Sequence, residues 1–309
     1  MARHAPFPID EHLTQIALAY HNRDFIADRV MPRVTVGKQE FNYYVHNKGD
    51  AFTVPETRVG RKSRPNEVSF EANERTDSTR DYGLDDVIPH SDMENADERY
   101  NPLDYSTEML SELLELDRER RVAEQTFNPD TYGSSHTEAL SSTDKWDTPD
   151  SKPLQALTDA IETPLVRPNV LVLGSKAWTK LSMHPELVKA MHGTSGDAGR
   201  ISRSFLAELL EIDEILVGQA FANSANQAQD PNIKRLWGNH AALIYRNSNA
   251  TTRGGVTFGL TAQWGDRVAG QWEERDAGLR GGTRVRVGWS LRELVVAPDV
   301  GYLFQDVVE

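Results

Sequence analysis

Nine histidines, at positions 4, 12, 21, 46, 90, 136, 184, 192 and 240, are the first candidates for chemistry in this 309-residue chain. A zinc hydrolase needs two of them one helical turn apart with a carboxylate beside them, as in HExxH, and that spacing does not occur. The tightest group is His90, Asp92 and Glu94. A spacing of two would set all three on one strand face, where they could hold a divalent cation, but after Pro89 they read better as a polar turn. His184 and Glu186, either side of Pro185, carry less weight. Serine chemistry is no better placed. There is no GxSxG elbow, Ser195 lies in the polar run GTSGDAG without a strand before it, and Ser135 to Glu138 sit in a stretch that reads as loop. Phosphate-cradling GxGxxG and GxxxxGK[ST] motifs are absent, and GLRGG at 278–282 reads as a turn. With no cysteine, thiolate metal sites, disulfides and thiol redox chemistry are excluded. The expectation is no metal, no cofactor and no catalytic residue.

Composition narrows the class. Acidic residues outnumber basic ones 47 to 34, a formal charge of −13, which disfavours a bulk nucleic-acid or anionic-membrane binder. No apolar run approaches the roughly 20 residues that span a bilayer. The first 20 residues, interrupted by Pro6, Pro8, Asp10 and Glu11, lack the layout of a signal peptide, so the expected place of synthesis and assembly is the cytoplasm. At 38% hydrophobic residues the chain is an ordinary globular one, long enough to build a large core.

The elements follow from periodicity. Residues 1–34 hold short apolar groups closed by Pro32 and read as an arm. Residues 35–78 alternate β-type residues around Gly37, Gly49 and Gly60 and read as a long two-stranded excursion, which in isolation has nothing on which to bury a face. The excursion carries a basic patch, Arg58, Arg61, Lys62 and Arg64, followed by Glu67, Glu71, Glu74 and Asp77. Such segregation suits complementarity between copies, and equally a solvated loop. Asp104 to Phe127 form the clearest helix, capped by Asp104 and stopped at Asn128-Pro129. Its expected core face is Met109, Leu110, Leu113, Leu114, Leu116, Val122, Ala123 and Phe127, with Glu108, Glu112, Glu115, Asp117, Arg118, Glu119 and Arg121 turned to solvent.

A Ser/Thr/Asp/Gly/Pro-rich stretch at 128–153 marks a boundary, and a second unit opens near Ser151. It runs through the helix PLQALTDAIETPL, the strand NVLVLG, a Ser175-capped helix to Gly193, the helix RSFLAELLEI, the strand EILVG and the run LWGNHAALIYR. From Gly255 the chain is mostly β, and Arg284, Arg286 and Arg292 alternate with Val285, Val287 and Trp289. Helices among strands, with β at both ends, predict an α+β fold.

In this order the parts resemble the major capsid proteins of tailed bacteriophages, which share the Hong Kong 97 type fold. The resemblance is co-linear over nearly the whole chain: the arm through DFIADRVMPRVTV, the extended loop GKQEFNYYVHNKGDAFTVPETRVGRKSRP, the spine helix DYSTEMLSELLELDRERRVAEQTF, then PLQALTDAIETPLVRPNVLVLGSKAW, LAELLEIDEILVGQAFANSA, WGNHAALIYR and GLRGGTRVRVGWSLRELVVAPDVGYLF. It implies an N-terminal arm (1–34), an extended loop (35–78), a peripheral domain with the spine helix (79–150, helix about 104–127), an axial domain (151–255), peripheral strands (256–290) and a return to the axial domain (291–309). It implies a shell protein that forms hexamers and pentamers around double-stranded DNA, with its loop lying across a neighbour. Contact candidates between copies are Arg58, Arg61, Lys62, Arg64, Glu67 and Glu71. Because the arm starts almost at Met1, a separately encoded scaffolding protein is expected, alongside a portal and, as a further candidate, a decoration protein. Contact with packaged DNA would be non-specific, and no membrane is involved. The nearest rival is an encapsulin-like cellular nanocompartment; an enzyme built on His90, Asp92 and Glu94 and a tail or adhesion protein rank below it.

Overall fold

A computed structural model describes residues 7–46, 54–67, 72–97, 100–192, 199–225 and 229–309. The first part of the chain runs α1 (Glu11–Ala19), α2 (Ala27–Val30), β1 (Arg33–Val36), β2 (Glu40–His46), β3 (Ala72–Ser78), β4 (Arg80–Pro89), α3 (His90–Glu94), α4 (Pro102–Thr126) and β5 (Thr137–Ala139). The middle runs α5 (Pro153–Glu162), β6 (Val170–Gly174), α6 (Ser175–Ser182), α7 (Pro185–His192), α8 (Arg203–Leu210), β7 (Glu214–Gly218), β8 (Phe221–Asn223), β9 (Ile233–Arg235) and β10 (Ala241–Ile244). Strands β11 (Gly259–Trp264), β12 (Val268–Glu274), β13 (Gly282–Val295) and β14 (Gly301–Gln305) follow. Among the described residues no helix is long and apolar enough to cross a membrane.

The 14-residue β13 organises the first sheet. One edge pairs antiparallel with β4 from Gly282 to Leu291; the other takes β12 and then β11, to which β1 adds in parallel. The expected alternation holds. Val285, Val287, Trp289 and Leu291 are buried beneath α1 and α4, while Arg284, Arg286 and Arg292 stand on the opposite face, paired with Asp85, Glu274 and Asp77. The arm closes the free edge of β12 through an Ile9–Gly270 bridge, and a Cβ at Gly270 would lie 1.9 Å from the Pro8 carbonyl oxygen. Asp10 then caps α1 by accepting from the backbone N–H of His12 and Leu13.

The second sheet runs β5-β14-β10-β6-β7. Its central strands, VLVLG and AALI, are apolar without alternation because both faces are covered. Helices α5 to α8 cover one face with Leu157, Ile161, Leu181, Leu187, Leu206 and Leu210. The other face packs Val170, Val172, Ala242, Ile244 and Leu303 against Ile26, Met31, Val122, Ala123, Trp237 and Phe258.

Helix α4 is therefore shared between two cores: Leu110 and Leu114 belong to the first sheet, Val122 and Ala123 to the second. Its 25 residues span roughly 37 Å. The helix opens earlier than expected. Asn101, not Asp104, accepts from the Leu103 N–H at 3.1 Å, and Pro102 occupies the first turn, where its missing N–H is harmless. Ser175 is likewise the first residue of α6, not its cap, and the single helix expected there is broken at His184 before Pro185. The boundary expected at 150/151 falls inside the second unit, since β5 pairs with β14 and Trp146 is buried among the second-sheet helices. The boundary expected at 290/291 cuts β13, which continues in the first sheet to Val295.

Candidate assembly surfaces and the charged seam beneath α4

Between its two apolar ends, α4 buries charge. Arg118 and Glu119 are 0% exposed and Glu115 is 7% exposed, although all three were expected on the solvent face. The reason is that both the arm and the first sheet bring opposite charges to that stretch. Arg33 makes a two-pronged pair with Asp28 at 2.7 and 3.0 Å and reaches Glu115 at 3.2 Å. Arg118 pairs with Asp28 at 2.9 Å and donates to the Met31 carbonyl and the Thr261 hydroxyl, each at 3.1 Å. Arg267 pairs with Glu115, donates to the Ala17 carbonyl at 2.7 Å, and lies with Arg33 over the Trp289 ring. Farther along, Arg121 is held by Glu293 at 2.8 Å and stacks 3.8 Å from the Tyr82 ring centre.

Glu119 has a separate task. Helix α2 has no side-chain cap of its own, and the Glu119 carboxylate supplies one, accepting from the N–H of Ile26 and Ala27 at 2.9 and 2.8 Å. The same carboxylate accepts from the Trp237 indole at 2.6 Å. Gly218 makes room for that indole, because a Cβ there would sit 1.9 Å from Trp237. One carboxylate thus ties the arm, the long helix and the second sheet together. Burial pushes it above the usual carboxylate range, against the N–H donors that hold it down. Buried ion pairs add little net stability, but shifting one partner strands the other without water, so the seam admits one register of the arm.

The β2–β3 loop reverses this arrangement. Its base is anchored: β2 and β3 pair from Glu40–Ser78 to His46–Ala72, Phe41 and Tyr43 pack on Leu260, Ala262 and Leu294, and Asp77 binds Arg292 at 2.9 Å. Its outer part is not. Arg58, Arg61, Lys62, Arg64 and Glu67 are exposed and lie outside any helix or strand, with one turn closed by Ser63 N–H to the Gly60 carbonyl. None of the four charged side chains forms an ion pair among the described residues, although the Arg58 backbone N–H donates to the Glu56 carboxylate at 3.0 Å. Glu71 lies outside the described residues.

The chemical candidates are placed differently from a site. His90, Asp92 and Glu94 lie on the short helix α3 rather than a strand, so residues two apart diverge; Asp92 accepts from Ser91, and Glu94 lies 3.9 Å from Arg280. Among the described residues no three His, Asp or Glu side chains converge on a point where a metal could sit. Buried His184 accepts at Nδ1 from the Glu186 N–H, so Nε2 carries the hydrogen and donates to the Thr148 carbonyl and Ser151 hydroxyl, each at 3.1 Å. In that tautomer it takes no proton from Ser151. Ser135 and His136 meet at 3.0 Å on the exposed surface, and Ser195 lies outside the described residues.

No protein-family model matches the chain. It is 52% identical over 304 residues, 98% of each chain, to the major capsid protein of Pseudomonas phage JBD67. A crystal structure of a phage-related protein from Bordetella bronchiseptica RB50 is similar in fold, with a TM-score of 0.74 and 22% identity covering 97% of this chain and 98% of that one. The capsid of Cyanophage P-SCSP1u has a subunit similar at a TM-score of 0.60 and 10% identity, covering 99% and 91%. The relative at 52% identity is named a phage major capsid protein, not a cellular compartment protein. The chain belongs to the phage major capsid proteins of the Hong Kong 97-like fold.

Proposed function

We propose that this subunit forms hexamers and pentamers of an icosahedral head shell around double-stranded DNA, and that its β2–β3 loop docks on a neighbouring copy through Arg58, Arg61, Lys62 and Arg64. The observation that carries the loop assignment is its contrast of parts: an anchored base, and four tip cations without an ion-pair partner among the described residues. Carboxylates on an acidic neighbour, including Glu67 and Glu71 of the adjoining loop, are the complementary surface. In this reading the first sheet with α4 is the peripheral domain and the second sheet with α5 to α8 the axial domain. The protein acts structurally and has no catalytic centre. Assembly takes place in the host cytoplasm on a separately encoded scaffolding protein, with a portal at one vertex and an optional decoration protein outside. The acidic total lets the inner wall face packed DNA without gripping it.

Deleting residues 50–64 tests the loop. The expected product is a folded subunit that sediments slowly and shows no closed shells by negative-stain electron microscopy, because the loop adds little to its own core. Unfolding of the deletion variant, or shells formed without the loop, would overturn the assignment.

A further inference from the structure

Among the described residues, the outward face of α4 carries a second unpartnered surface. Tyr105, Met109 and Leu113 follow one another at four-residue spacing and are 50%, 43% and 48% exposed, a straight apolar ridge of about 12 Å. Tyr100 extends it, its ring 5.6 Å from that of Tyr105. One residue earlier in each turn runs a parallel row of carboxylates, Asp104, Glu108 and Glu112. Asp104 meets the exposed His12, at 3.2 Å, and Glu108 is exposed. Glu112 accepts from Asn22 at 2.8 Å through one oxygen, while its other oxygen is shut off from water without a partner. Burial and the nearby Glu115 raise this carboxyl above its ordinary range.

Resting on the shell reading, we propose that this face docks a basic amphipathic helix of a partner protein, apolar residues on Tyr105, Met109 and Leu113 and lysines or arginines along Asp104, Glu108 and Glu112. The four-residue spacing of both rows over two turns matches another helix, not a strand or a loop. The charge disfavours two other occupants: packed DNA is repelled by the carboxylates, and a second copy laid face to face would bring two acidic rows together.

The test uses dissociated full-length subunits, so it reads independently of whether shells close. A fluorescent peptide of about 18 residues, long enough to hold a helix, carries leucines at four-residue spacing beside a row of lysines. Its anisotropy on titration is compared with that of a scrambled peptide of the same composition. The ordered peptide is expected to bind about tenfold tighter than the scrambled one. M109E/L113E should remove that advantage, and E108K should weaken binding about threefold and flatten its salt dependence. All three positions are exposed, and thermal melting checks that the variants remain folded. Equal binding of the scrambled peptide, or wild-type binding by both variants, overturns the proposal. So does loss of self-association by M109E/L113E without peptide, which would give the face to a second copy.

Discussion

The seam beneath α4 and the tip of the β2–β3 loop contain the same side-chain types in opposite situations. In the seam, Arg33, Arg118, Arg121 and Arg267 meet Asp28, Glu115 and Glu293 inside one chain, buried or half-buried, and Glu119 accepts from Ile26, Ala27 and Trp237 beside them. At the tip, Arg58, Arg61, Lys62 and Arg64 are exposed and have no such partners among the described residues. Charge of the first kind specifies how a subunit is put together; charge of the second kind is left for something outside it. A surface pair in water contributes little, whereas a buried one is costly to break, so the two regions should respond to mutation on different readouts.

The comparison breaks most readily at Glu119. Glu119→Ala should cost about 3–5 kcal/mol, read as a lowered urea midpoint, because it leaves the N–H groups of Ile26, Ala27 and Trp237 buried without an acceptor. A loss below 1 kcal/mol, on the order of an ordinary surface change, would mean that the seam is not what holds the arm. Acid should sharpen the same contrast. Burial pulls the Asp28 carboxyl upward, but Arg118 and Arg33 outweigh it and hold it below 3.8. Asp85 is held low by its hydrogen bonds from Arg286. Since both folded values lie below the unfolded ones, their stabilisation is complete at neutral pH and is lost as pH falls below about 4. Glu119 runs the other way: its raised value penalises the folded state near neutrality, and that penalty eases as pH falls through it. Urea stability measured from pH 7 to 3 should therefore drop more steeply at the acid end in the wild type than in Asp28→Asn.

A smaller effect is expected where the arm meets the first sheet. Asp10→Ala removes the α1 cap and its bond from Gln271, and should lower the thermal midpoint by an amount equivalent to about 1 kcal/mol. The smallest change in subunit stability belongs to the tip. Reversing Arg58, Arg61, Lys62 and Arg64 to glutamate should move the urea midpoint by no more than about 0.5 kcal/mol while abolishing shells in sedimentation. If stability falls and shells persist, the contrast between seam and tip is wrong.

These regions also differ in how far they could be read from the residues. The loop was legible because its signals are local: alternating β-type residues, glycines at turns, and a run of like charge. The long helix was legible for the same reason, down to its stop before Pro129. Its buried face was not. Glu115, Arg118 and Glu119 read as solvent-facing by type, and the groups that bury them, Asp28, Arg33, Arg267 and Trp237, lie roughly 80 to 150 residues away. Met109 and Leu113, taken as core by periodicity, are exposed because the helix has two buried ends and an apolar outer ridge that no single-stripe pattern describes. The boundaries at 150/151 and 290/291 missed for a related reason: β5 and β13 join their sheets through partners remote in the chain.

That remoteness governs the order of events in synthesis. β1 waits for β11, β4 for residues Gly282 to Leu291 of β13, and β14 must slide between β5 and β10 before the second sheet exists. Sheets whose partners are separated by two hundred residues nucleate slowly, since long loops must close before any pairing is rewarded. A nascent chain lacking its last strands therefore has neither sheet finished, and both cores close only when β13 and β14 have been made.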